Sequence, residues 1–122
     1  MAAQVLCPGR LSRDDLRLLY SYTDLFVFPS LYEGFGMPVL EAMGCGAPVV
    51  TSQTTALGEV AGDAAVLVDP RNARELGTAI TSLLESESLR TSLKEKGFLR
   101  VKQYSWQRAA AKTLELYSSL CH

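Results

Sequence analysis

The stretch DLFVFPSLYEGFGMPVLEAMGCGAPVV, residues 24–50, reads as strand, turn, helix and strand in succession. Leu25, Phe26, Val27 and Phe28 are consecutive apolar residues rather than alternating ones. That pattern suits a strand covered on both faces, as in a parallel sheet. Pro29 ends the run. Gly34 and Gly36 then allow backbone angles that other residues resist and let a ligand approach the main chain closely. Pro38 falls where a helix accepts proline, in its first turn. Gly44-Cys45-Gly46 is a natural helix stop, and Ala47 to Thr51 is a second continuous apolar strand.

The same alternation extends in both directions. Upstream, Val5-Leu6-Cys7 reads as a short strand closed by Pro8-Gly9. Ser12-Arg-Asp-Asp15 resembles a capping box and opens a helix with Leu16, Leu19 and Tyr20 on one face. Downstream, Thr54 to Gly62 is a loop or short helix, and Ala64 to Asp69 is a further apolar strand ended by Pro70. Asn72 and Glu75 form a cap pair, followed by the buried-stripe spacing of Leu76, Ala79, Ile80, Leu83 and Leu84. A second helix is expected from about Ser88 to Lys102. A third starts near Ser105, with Trp106, Ala109, Ala110, Thr113, Leu114 and Tyr117 on a face expected to pack into the core. Alternating, doubly covered strands and helices predict a parallel α/β sheet with right-handed crossovers. In such sheets ligands bind at the carboxyl ends of the strands. The Glu33–Glu41 stretch and Thr51-Ser52-Gln53 both fall at such ends.

Composition excludes several classes. The chain has 122 residues, 48% hydrophobic and 20% charged, with a net charge of −1. That balance marks neither a nucleic-acid binder nor a basic membrane patch. No apolar run approaches the ~20 residues of a membrane span. The first residues lack the pattern of a signal peptide. Cys7, Cys45 and Cys121 are odd in number and scattered, and the one histidine is the terminal His122, so neither a disulfide framework nor a zinc site is expected. The thiols read as buried or incidental ones in a reducing cytoplasm.

Two acids flank the glycine turn, and a core needs neither. The start of the Pro38 helix offers free N–H groups and a partial positive charge, a ready anion site for which phosphate is the usual guest. Glu41, about one turn in, can reach back toward the same crevice. Its charge would repel an adjacent phosphate, so it suits neutral hydroxyls such as those of a ribose. Glu33, before the turn, can accept hydroxyls of a second polar group. An anion bracketed by two hydroxyl-rich groups is the layout of a nucleotide diphosphate-sugar. Other readings exist for the same residues. The dinucleotide fingerprint lacks its third glycine, and no Gly-Lys-Ser/Thr makes a P-loop. A glycosidase pair would need one carboxyl with a raised pKa, which nothing in the sequence indicates. In the plainest reading, Glu41 is a solvated acid in the first turn of an ordinary helix.

These residues resemble a known signature. Asp24 to Ser30, then Glu33-Gly-Phe-Gly-Met-Pro-Val-Leu-Glu41 and on to Val50, are similar to the donor site of retaining GT-B glycosyltransferases. That large group includes sucrose synthases and bacterial lipopolysaccharide and mannosyl transferases. Its mark is two glutamates with seven residues between them, matched by Glu33 and Glu41. The resemblance continues through Gly58 to Gly62, Ala64 to Pro70 and Tyr104-Ser-Trp106. It implies a Rossmann-like three-layer α/β/α fold with a small, mainly parallel sheet of about four strands, forming part of a GT-B C-terminal domain over residues 1–122. It implies that Glu33, as the catalytic residue, contacts the donor sugar near the reacting carbon. The main chain of Gly34, Phe35, Gly36 and Met37 would face the sugar and the distal phosphate. Leu40 would lie near the nucleoside, Glu41 would hold the ribose, and Arg10 would approach the base. No metal or other cofactor is implied.

The resemblance also implies what lies outside the chain: the acceptor domain and the first two strands of the donor domain, with the basic pair that clamps the diphosphate. The strand at Leu25 to Phe28 would then be a bare edge, which invites pairing. Either Val5-Leu6-Cys7 moves in beside it or a second copy pairs with it. The partners expected are thus a nucleotide-sugar donor, the missing acceptor domain or another chain, and no nucleic acid. The expected location is cytoplasmic, with membrane-surface contact through the missing domain. The parent reaction would be transfer of a hexose with retention, for which the isolated chain is not expected to suffice. The alternative is a non-catalytic nucleotide-binding or interaction module of the same fold.

Overall fold

A computed structural model describes residues 4–121. His122 lies outside the described residues. The elements run α1 (Arg13–Tyr22), β1 (Phe26–Phe28), α2 (Met37–Gly44), β2 (Val49–Ser52), α3 (Thr55–Ala61), a 3-10 turn (Gly62–Ala64), β3 (Val66–Val68), α4 (Ala73–Glu85), α5 (Glu87–Val101) and α6 (Trp106–Leu120). The three strands form one parallel sheet in the order β1-β2-β3. Phe26 pairs with Val49, and Thr51 with Leu67.

Local chemistry sets the element ends. Ser12, Asn72, Ser86 and Ser105 each accept a backbone N–H three residues on, satisfying donors that a helix start leaves free. α2 ends in a Schellman motif: the Ala47 N–H donates to Ala42 O and the Gly46 N–H to Met43 O, both at 3.0 Å. Gly46 takes the left-handed φ of +85° that this stop requires.

The strands are covered on both faces, and each face has its own core. Phe26, Phe28, Val49 and Leu67 face a cluster containing Tyr20 of α1, Val39, Leu40 and Met43 of α2, and Leu57 and Val60 of α3. Val27, Val50, Val66 and Val68 face the opposite layer, against Leu76, Ala79 and Leu83 of α4 and Leu93 of α5. The period-2 alternation of a strand separates these two sets. The architecture is therefore the three-layer α/β/α arrangement expected, with the Glu33–Glu41 segment at the carboxyl end of β1.

Two expectations fail, for related reasons. The sheet has three strands, not about four. Val5, Leu6 and Cys7 form no strand, and Leu6 is 87% exposed. Val5–Cys7 makes no backbone hydrogen bond to β1, so the run gains no ladder and the β1 edge stays unpaired among the described residues. An open hollow of about 850 Å³ lies beside that edge, lined by residues including Leu6, Leu19, Tyr22 and Phe26. Second, the α6 face expected in the core is on the surface: no residue of α6 is buried, and Trp106 is 82% exposed. The stripe is real, but among the described residues nothing covers it. Of the thiols, expected to be buried or incidental, Cys7 and Cys121 are exposed and Cys45 is half-buried. Among the described residues, no helix is long and apolar enough to cross a membrane.

Candidate functional site

Two loops meet at the carboxyl end of the sheet, the one after β1 (residues 29–36) and the one after β2 (residues 53–54). Hydroxyls at the strand ends join them. Thr51 Oγ1 donates to Phe28 O at 2.8 Å, and Ser52 Oγ donates to Ser30 O at 2.6 Å. Both side chains are fully buried, so these bonds satisfy polar groups that burial would otherwise penalise. The Gln53 N–H donates to Val68 O at 2.9 Å, which carries the link on to β3.

The glycine turn is shaped from beneath. Gly36 is the N-cap of α2, with φ +96° and ψ 47°, and no side chain caps the helix. A Cβ at Gly36 would collide with Leu57 Cδ2, and Leu57 is fully buried. Only glycine fits there, on both backbone and steric grounds. Gly34 differs from the expectation that both glycines serve the same need. Its φ is not in the left-handed region, and a Cβ there would meet nothing within 4 Å. The space beside Gly34 is open, so the fold itself does not require glycine there.

Phe35 is half-exposed and packs edge-on against Tyr104 in the turn between α5 and α6, with centroids 5.8 Å apart at 82°. Arg100 holds Tyr104 in turn. Its guanidinium donates to the Tyr104 hydroxyl at 3.2 Å and lies 5.4 Å from the ring centroid, while Nε donates to Val60 O at 2.8 Å. One arginine therefore ties the end of α3 to the residue bracing the glycine turn.

The two acids leave the turn toward different neighbours. Glu33 is half-buried. Its carboxylate accepts from Ser30 Oγ at 3.0 Å, and its N–H donates to Thr55 Oγ1 at 3.4 Å. Glu41 is exposed, on α2. Its charge is felt by Tyr20, whose pKa is raised first by burial, then by Glu41 and Cys45. One acid is thus hydrogen-bonded to α3 just before the uncapped start of α2, and the other, within α2, is near enough to α1 for Tyr20 to feel its charge. Met37 is exposed, whereas Leu40 is buried in the core, leaving its side chain little surface for a ligand. Arg10 is exposed, and among the described residues no hydrogen bond or ion pair links it to Glu33 or Glu41.

Strain gathers at the same place. Thr55 has φ +56°, a costly conformation for a β-branched residue. The buried Thr54 Oγ1 has no hydrogen-bond partner among the described residues. Outliers of this kind cost about 1–3 kcal/mol each and cluster at binding sites. Reasoning from sequence placed Ser52 at a ligand-binding strand end and Ser30 and Tyr104 within the resemblance, but gave none of them, nor Thr55, an individual role. Polar residues closing otherwise apolar strands were the available signal for the two serines.

The chain has clear similarities to known proteins. A sequence profile of the family described as Glycosyl transferases group 1 matches residues 1–100. O-antigen chain mannosyltransferase B of Escherichia coli is 41% identical over 112 residues, which are 92% of this chain and 29% of that protein. The MMP alpha-(1->4)-mannosyltransferase of Mycolicibacterium hassiacum is 40% identical over 88% of this chain and 27% of its own length. The structure of sucrose-phosphate synthase from Thermosynechococcus elongatus superposes with a TM-score of 0.85 and 31% identity, covering 97% of this chain and 30% of that one. The chain thus spans under a third of the length of each of these three proteins.

Proposed function

This chain belongs to the group 1 glycosyl transferases and carries part of a GT-B, Rossmann-like domain, and we propose that it is the nucleotide-sugar-binding portion of a retaining hexosyltransferase. The observation that carries the reading is an uncapped helix start at a strand end, with one acid tied to α3 just before it and a second acid, near Tyr20 of α1, within the helix. In this reading the start of α2 faces the diphosphate. Glu41, toward α1, accepts the ribose hydroxyls. Glu33, toward α3, accepts hydroxyls of the hexose beside the reacting carbon. The main chain of Phe35, Gly36 and Met37 lines the space between them. As the glycosidic bond breaks, charge grows on the departing diphosphate, and dipoles already aimed at that position lower the barrier. No metal is needed for that stabilisation. The hexose reading is supported by the mannosyltransferase relatives; the acceptor would sit on the longer protein's other domain.

An amide NMR titration with uridine, guanosine and adenosine diphosphates and their hexose conjugates tests this. Saturable shifts are expected from Gly34 to Glu41 for one base. Glu41→Ala should weaken that ligand about tenfold or more, since a hydrogen bond to a charged group is worth about 1.5–3 kcal/mol. A folded spectrum that responds to none of these ligands would rule the reading out.

A second proposal concerns the partner at the sheet edge. Val5–Cys7 does not cover β1, and strand alternation leaves the Val27 N–H and C=O on the open side, since the Phe26 N–H already donates to Pro48 O. We propose that in isolation two copies pair through β1, whereas in a longer protein the preceding strands occupy this edge. Sedimentation should then give a dimer, with the Val27 amide protected from hydrogen exchange. A monomer whose Val27 amide exchanges freely at NMR concentrations would count decisively against it.

A further inference from the structure

We infer that Ser30 is the positioning residue for Glu33, holding one carboxylate oxygen so that the other is presented to the donor sugar. This rests on the donor-site reading above and extends it to residues outside the two-glutamate signature. Ser30 Oγ has a single proton and two acceptors within reach, Glu33 Oε1 at 3.0 Å and Tyr32 O at 3.2 Å. The carboxylate is the nearer and the charged one, and charge-assisted hydrogen bonds are about twice as strong as neutral ones. Glu33 therefore takes the proton.

Ser30 is itself fixed. Its carbonyl accepts from Ser52 Oγ at 2.6 Å, and Ser52 is fully buried at the end of the central strand. The Glu33 main chain is held from the other side by Thr55, whose φ of +56° brings its hydroxyl within 3.4 Å of the Glu33 N–H. The loop after β1 would otherwise carry a long acidic side chain with several free torsions. Ordering such a side chain on binding costs rotamer entropy. A hydroxyl three residues earlier, anchored to β2, meets that cost before the ligand arrives. Preorganisation of this kind is expected to act on the sugar and spare the nucleotide end, because the hydrogen bonds of Ser30 go to Tyr32, Glu33 and Ser52 and none reaches Glu41 or the start of α2 among the described residues.

The test compares the unsubstituted chain with Ser30→Ala and Ser30→Thr by NMR. The three-bond couplings of the Glu33 side chain should report one rotamer in the unsubstituted chain and in Ser30→Thr, which keeps the hydroxyl. They should average in Ser30→Ala. With the nucleoside diphosphate-hexose of the preferred base, Ser30→Ala should bind about tenfold more weakly, while the nucleoside diphosphate alone binds unchanged. A merely structural role would weaken both ligands together. Averaged couplings in the unsubstituted chain, or couplings and affinities that Ser30→Ala leaves unaltered, overturn the inference. If the unsubstituted chain binds no donor, the donor reading fails alone, because the couplings judge Ser30 without a ligand.

Discussion

Gly36→Ala is expected to destabilise the chain by about 3 kcal/mol and to abolish ligand-induced shifts in residues 34–41. Two costs combine. At φ +96° and ψ 47° an alanine occupies backbone space that its Cβ disfavours, at about 1–3 kcal/mol. The new Cβ would also press on Leu57, which is fully buried and would have to shift within the core. Overpacking of this sort costs about 1–3 kcal/mol. Urea denaturation followed by far-UV circular dichroism measures the sum. Tryptophan fluorescence would report poorly, since Trp106 is on the surface. A Leu57→Val background separates the two costs: Gly36→Ala should cost less there, by the part due to the clash. A loss under about 1 kcal/mol would show that the turn is not held as described. Gly34→Ala is the natural control, because the side chain would enter open space.

Met43→Ala should cost about 2–5 kcal/mol. Met43 is 1% exposed on the inner side of α2, and α5 lies directly over it. The close approach depends on Gly97, the one buried residue of α5, where a Cβ would stand only 3.3 Å from Met43 Cβ and Cγ. Removing the Met43 side chain leaves a gap that the backbone of α5 cannot fill without moving the whole helix. The loss is a large share of the roughly 5–15 kcal/mol that holds a typical domain together. Met43→Leu conserves volume and should cost less than about 1.5 kcal/mol. A Met43→Ala midpoint indistinguishable from that of the unsubstituted chain in urea would mean that α5 does not pack where it is placed.

Both substitutions touch residues whose importance differs in how visible it was. Gly36 stood out in a turn between an acid and a proline. Met43 was one apolar residue among several, and only its position against Gly97 gives it weight. The site divides in the same way. Glu33, Gly36 and Glu41 were legible as a pattern, because chemistry at close spacing along the chain needs no knowledge of the fold. Thr55 stands 22 residues from Glu33, and Ser52 stands 22 from Ser30. Those pairs exist because two parallel strands end side by side.

Helix starts, the stop at Gly44-Cys45-Gly46 and the three continuous apolar strands were settled locally, by caps, a left-handed glycine and side-chain character over a few residues. These are short-range effects, and the chain carries them wherever it is. Val5–Cys7 and the apolar stripe of α6 were equally clear as patterns, yet each came out exposed. A strand needs a neighbour's N–H and C=O, and an amphipathic helix needs a surface to cover its face. Residue order states both needs and cannot state whether a partner meets them; that was decided by which strands and helices the folded chain brought within reach.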